Sequence, residues 1–145
     1  MIGTIIFDMH LTVFRFNEAD SNLIEPMPHA LETLVNFFEQ GYKIAIISTS
    51  EIQNSRDRLS SLLTEYGFGE EKLKEFFKKI DILSMQYFGS KHTKEAWLQA
   101  MKPYSNILYI FEDGEAKLHA AGEAAKELGS DPELLTSVAE FVESF

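Results

Sequence analysis

Thr4-Ile5-Ile6-Phe7-Asp8-Met9-His10-Leu11-Thr12-Val13 is an apolar run that ends on a carboxylate, with an imidazole and a hydroxyl following within the next four residues. A buried strand that delivers an acid at its C-terminal end is how open α/β sheets build their sites, because parallel strands all end on one edge. Asp8 is therefore the centre from which the rest of the chain is read.

Three more apolar runs have the same form. Tyr42 to Ile47 leads into Ser48-Thr49-Ser50, Ile80 to Leu83 into Ser84, and Ile107 to Phe111 into Glu112-Asp113-Gly114. Helical spacing fills the intervals. Leu31, Leu34, Val35 and Phe38 follow Pro26 and Pro28 and close at Gly41; Leu59, Leu62, Leu63 and Tyr66 stop at Gly67. Leu73, Phe76, Phe77 and Ile80 repeat the pattern, Trp97, Ala100 and Met101 precede Pro103, and Leu118 to Leu128 closes at Gly129. Asp131-Pro132 reads as an N-cap and first helical residue, predicting a last helix with Leu135, Val138, Val142 and Phe145 on one stripe. Phe14 to Glu25 is polar without a sustained period and is expected to be a loop, either a flap over a site or a plain connector. This alternation predicts one domain, residues 1–145. Its expected architecture is an α/β, Rossmann-like three-layer sandwich with a mostly parallel sheet of four to five strands and helices on both faces.

Composition bounds what such a sheet can serve. A chain of 145 residues has the size of one domain and buries roughly two thirds of its unfolded surface. Twelve Phe and one Trp supply the core, and each aromatic is read as packing. The net charge of −10 repels phosphate backbones and anionic lipid, so neither nucleic acid nor a membrane is an expected partner. A bound dication still lets an acidic protein hold one small phosphate. Absence of cysteine removes disulfides, thiolate metal sites and cysteine nucleophiles, and fits a reducing compartment. The first strand starts close to Met1, leaving no room for a signal peptide, and no apolar run approaches ~18 residues. A soluble, cytoplasmic protein is expected.

In a parallel sheet, Asp8 with His10, Ser48, and Glu112 with Asp113 converge on one edge. Lys91, in the loop Gly89-Ser90-Lys91-His92-Thr93-Lys94, joins them in preference to Lys94. Converging carboxylates repel, and a hard cation with oxygen ligands relieves the repulsion, Mg2+ being the natural candidate. Beside such an ion a carboxylate can attack phosphorus while Lys and Ser hold the phosphoryl oxygens. An imidazole two residues further on is placed to protonate the leaving group. His29 and His119 fall on expected helices and are read as surface residues, and Glu70 to Lys79 as a solvated face.

These residues, in this order, resemble the haloacid dehalogenase-like (HAD-like) hydrolase superfamily, from the first strand to about Gly129. Phe7-Asp8-Met9-His10-Leu11-Thr12-Val13 is similar to the first motif, hhhDxDxT[LV], and Ile44 to Ser48 to the second, an apolar strand ending in Ser or Thr. Lys91 falls where the third-motif lysine is expected. Ile107 to Asp113 is similar to the fourth, with the alanine-rich helix after it. The resemblance implies an Mg2+-dependent phosphatase working through a phospho-aspartate. Asp8 would be nucleophile and metal ligand, and residue 10 would give a backbone carbonyl to the metal and the acid/base side chain. Ser48 and Lys91 would bind the phosphoryl group, and Asp113 with Glu112 would complete the metal site. The substrate would be a small phosphorylated molecule or a phosphoprotein.

Two departures stand out. The second aspartate of the first motif is His10, and the fourth motif reads Glu112-Asp113-Gly114-Glu115-Ala116-Lys117 in place of GDxxxD, which leaves the adjacent-acid form of the site. About thirty residues separate the first two motifs, too few for a large cap, and after Gly129 the chain reads as helix where the family adds a fifth strand. A response-regulator receiver also gathers acids and a lysine, but its phospho-acceptor ends the third strand, where this chain has Ser84. Two functions follow: an active phosphohydrolase with His10 as acid/base, or a catalytically impaired HAD-like module that binds a phospho-ligand or a protein.

Overall fold

In the computed structural model, which describes residues 2–144, the opening run is the middle of the sheet. β1 (Thr4–Phe7) is buried at every position, as a strand covered on both faces must be, and the apolar Ile5, Ile6 and Phe7 are what that burial requires. It is followed by β2 (Phe14–Phe16), β3 (Ile24–Pro26), α1 (Ala30–Glu39), β4 (Lys43–Ser48), α2 (Ile52–Tyr66), α3 (Glu70–Lys79) and β5 (Asp81–Ser84). A short 3-10 turn, Met85–Tyr87, leads to α4 (Lys94–Met101), β6 (Ile107–Phe111), α5 (Glu115–Glu127), β7 (Glu133–Leu135) and α6 (Val138–Glu143).

The five-stranded sheet has the order β5-β4-β1-β6-β7, and every pairing is parallel. Phe7 is in register with Ile46 on one side and Phe111 on the other, so Asp8 and Glu112 leave adjacent strands at the same level. One face packs Leu34, Phe37, Leu59, Leu63, Phe76 and Val138 from α1, α2, α3 and α6. The opposite face packs Trp97, Met101, Ala121 and Ala125 from α4 and α5. Phe7 stacks on Phe111 with ring centroids 4.8 Å apart, and Phe37 meets Phe7 edge to face at 6.4 Å. Offset and edge-on contacts are the arrangements that aromatic quadrupoles favour.

Two expectations are corrected. Phe14 to Glu25 is not an unstructured loop: β2 and β3 pair antiparallel, with Arg15 opposite Glu25 and their side chains 2.6 Å apart. Phe14 anchors this hairpin by burying its ring completely. The helix predicted from Asp131-Pro132 is instead the fifth strand, β7, whose residues Glu133, Leu134 and Leu135 pair with Tyr109, Ile110 and Phe111. The ladder won because Leu135 buries against the core, and the helix starts only at Val138, capped by Ser137. Phe145, placed on the stripe of that helix, lies outside the described residues.

Candidate active site

Sheet register sets the site. The Asp8 N–H donates to the Phe111 carbonyl at 2.9 Å and the Glu112 N–H to the Leu135 carbonyl at 3.0 Å, which fixes both acids at the C-terminal edge. The chain then turns sharply: the Met9 carbonyl accepts from Thr12, Val13 and Phe14 at 3.2, 2.8 and 3.2 Å, and Leu11 adopts a left-handed φ of 64°. A left-handed leucine is an uncommon conformation that the surrounding hydrogen bonds must hold in place. The turn returns the Thr12 hydroxyl to Asp8, donating to Oδ2 at 3.4 Å.

Lys91 crosses the edge from the loop before α4. Its ammonium donates to Asp8 Oδ1 and, at 2.8 Å, to Glu112 Oε1. Lys91 is 3% exposed, Asp8 7% and Glu112 1%, so these charges meet where water screens them little. The loop is fixed by Trp97, whose Nε1–H donates to the Lys91 carbonyl at 2.7 Å. Lys94 lies outside the group, pairing at the surface with Glu127 at 2.7 Å.

Asp113 brings a third carboxylate: one oxygen each from Asp8, Glu112 and Asp113 lie within 4.8 Å of one another. Burial pushes the Asp8 carboxyl up to about 8, Lys91 opposing the rise and the charge of Glu112 adding to it. Burial also works against ionisation of Asp113, but hydrogen bonding with Glu112, Asp8 and its own backbone, together with the charge of Lys117, holds its carboxyl below the ordinary value. Asp8 and Glu112 share the Lys91 ammonium, with the Asp113 carboxyl beside them. All donors are oxygens, the set that Mg2+ and other hard dications take, so the cluster fits such an ion.

Ser48 ends β4, buried, and its Oγ accepts the Ser50 N–H at 3.0 Å. No hydrogen bond joins it to the acid cluster among the described residues. His10 is exposed, and its ring does not join the acids; it packs at 5.6 Å from the Phe14 ring and 5.4 Å from the Phe16 ring. Two contributors were not singled out from sequence. Thr12 carried a signal, a hydroxyl four residues after Asp8 in a turn, whereas Trp97 read as core and its indole N–H has no sequence signature.

No protein-family model and no curated protein sequence matches the chain. Solved structures do, and they establish the fold: that of the HAD-like hydrolases. The chain is similar to a putative beta-phosphoglucomutase from Thermotoga maritima, with a TM-score of 0.60 at 15% identity over 92% of this chain and 94% of that one. It is also similar to a D,D-heptose 1.7-bisphosphate phosphatase from B. bronchiseptica complexed with magnesium and phosphate, with a TM-score of 0.51 at 12% identity over 97% and 86%. The UTR4 protein of Saccharomyces cerevisiae matches 70% of this chain and 45% of its own length, at 15% identity and a TM-score of 0.51.

Proposed function

We propose that the chain is an Mg2+-dependent phosphohydrolase that works through an aspartyl-phosphate on Asp8. The observation that carries this reading is the buried ammonium of Lys91 shared by Asp8 and Glu112, with Asp113 beside them. Mg2+ held by Asp8, Glu112, Asp113 and the backbone carbonyl of residue 10 would keep Asp8 ionised and offset charge on the phosphoryl group. A carboxylate oxygen of Asp8 attacks phosphorus, and the bond from phosphorus to the substrate oxygen breaks. Lys91 and Ser48 hold the phosphoryl oxygens, and the departing oxygen takes a proton from His10. Water then attacks the phosphorus of the acyl phosphate, giving a proton back to His10, and the bond from phosphorus to the Asp8 oxygen breaks to release phosphate and restore the carboxylate. Two of the structural neighbours are described as a putative beta-phosphoglucomutase and a heptose bisphosphate phosphatase, which supports the class but not a particular substrate.

The test is phosphate release from para-nitrophenyl phosphate with millimolar Mg2+. Activity is expected in the wild type and abolished in Asp8→Asn; full activity in that variant refutes the mechanism. A second reading has its own observation: the His10 ring rests on Phe14 and Phe16 and not on the acids. A protein of this kind would bind phospho-ligands with little turnover. It predicts an inert wild type across a phosphate panel and a gain of activity in His10→Asp.

A further inference from the structure

Arg58 lies on α2, half-buried against the turn that follows β4 and the β2–β3 hairpin, and it has no carboxylate partner among the described residues. Its guanidinium sits over the Phe14 and Phe16 rings, 5.2 and 5.4 Å from their centroids, and Nη1 donates to Ser50 Oγ at 3.4 Å. Both props belong to the site. The Ser50 N–H donates to Ser48 Oγ, and the two rings are the ones on which His10 packs. The guanidinium is thus tied to the turn carrying Ser48 on one side and to the hairpin carrying the His10 contacts on the other.

A guanidinium has five N–H donors in a planar fork. Stacking on rings and one long hydrogen bond hold its plane while leaving most of that fork unused. The chain has 23 acidic residues and pairs Arg15 with Glu25 at 2.6 Å, so an arginine without a carboxylate partner, bonded to the turn that carries Ser48, is where an incoming anion finds its counter-charge. Arg56, two residues earlier on the same helix, lies over Phe77 of α3 and not over the hairpin.

We propose that Arg58 determines specificity by binding a second anionic group, a carboxylate or a second phosphate, on a small phosphomonoester. This rests on the hydrolase reading for the phosphoryl end only. The substrate would have its two anionic ends on a short linker, one on Asp8 and Lys91 and the other in the fork of Arg58, and the Phe16 edge would contact the linker.

The test compares propyl phosphate with 3-phosphooxypropanoate and propane-1,3-diol bisphosphate in the presence of Mg2+. The readout is the preference for the doubly anionic compounds over propyl phosphate, taken as a ratio of kcat/KM where turnover occurs and as a ratio of Kd by calorimetry where it does not. Wild type is expected to prefer at least one of the two by on the order of tenfold, the scale of a charge-assisted pair that is partly shielded from water. Which of them is preferred tells carboxylate from phosphate. R58Q should lose the preference and R58K keep part of it, at unchanged Tm. A simple brace between α2 and the hairpin would lower Tm in R58Q and leave the ratio intact. A wild-type ratio near one, or an unaltered ratio in R58Q, overturns the proposal. An inert wild type that still binds with the preference supports Arg58 while removing the hydrolase, and an active one without preference does the reverse.

Discussion

Lys91→Met keeps the length of a side chain that is 3% exposed and removes its charge, leaving Asp8 and Glu112 facing each other at 7% and 1% exposure. Removing one partner of a buried ion pair costs about 3–5 kcal/mol, because the group left behind keeps its desolvation penalty. Proton uptake by a carboxyl limits the loss, so the low end, about 3 kcal/mol, is expected at pH 9 in metal-free buffer. In a domain of this length that lowers Tm by roughly 6–12 °C. The sign of the pH dependence follows from proton counts. With Lys91 present the folded Asp8 carboxyl already sits up at about 8, held there first by burial, and without the lysine it rises further. Above pH 8 the folded variant therefore holds a proton that the folded wild type has released, and the deficit widens with pH. As pH falls through 8 both hold it, and the deficit narrows. Urea unfolding followed by circular dichroism at pH 9, 7.5 and 6, with EDTA and then with excess Mg2+, measures this directly, and Mg2+ should recover part of the loss in the variant. A deficit below about 1 kcal/mol at pH 9, or one that grows as pH falls, would refute the assignment of Lys91 as the counter-charge of the acid cluster.

Millimolar Mg2+ should raise the Tm of the wild type, since an ion bound only by the folded state stabilises it; Asp113→Asn should abolish most of that shift, and an equal shift in both would remove Asp113 from the metal set. Tyr104 donates its hydroxyl proton to Asp81 at 2.7 Å, and burial, then Asp81, pushes its ionisation upward. The stability this contributes is complete below the unfolded tyrosine value of about 10 and is lost as pH rises beyond it. Tyr104→Phe should therefore show a flatter fall in stability between pH 10 and pH 11.5 than the wild type, and parallel curves would contradict the bond.

The sheet was legible where burial leaves a dense apolar record. β1, β4 and β6 are runs that only a strand covered on both faces explains, and the helices between them show one apolar stripe each. β7 was not legible because three residues are too few to show a period, and Asp131-Pro132 is a strong helix start in isolation. Its true successor was nevertheless written in the chain: Ser137 caps the helix, its Oγ accepting the Glu140 N–H at 3.1 Å, while the Glu140 carboxylate reaches back to accept from Thr136, one residue before the cap. The hairpin escaped for the same reason of length, its alternation of Phe14, Arg15 and Phe16 being one residue pair short of a pattern. In the site, order along the chain foretold which residues reach the edge, but not orientation. Glu112 was read as a helper to Asp113 and is the more deeply buried of the two, bonded to Lys91, while His10 reaches the edge and turns to the hairpin.

Placing β1 in the centre also has a consequence for how the molecule comes together. β1 is made first, yet its two ladders wait for strands beginning at Lys43 and Ile107, and Thr4 is clasped by the carbonyls of Ser105 and Asn106 at 3.0 Å each. Pairings so distant along the chain are slow to close, and until β6 is synthesised a strand that is buried throughout in the finished fold keeps an open edge, the kind that recruits other chains. Growing chains stopped before Ile107 should accordingly be insoluble or chaperone-bound, and Asp8, Lys91 and Glu112 meet only once the chain has been made past Glu112.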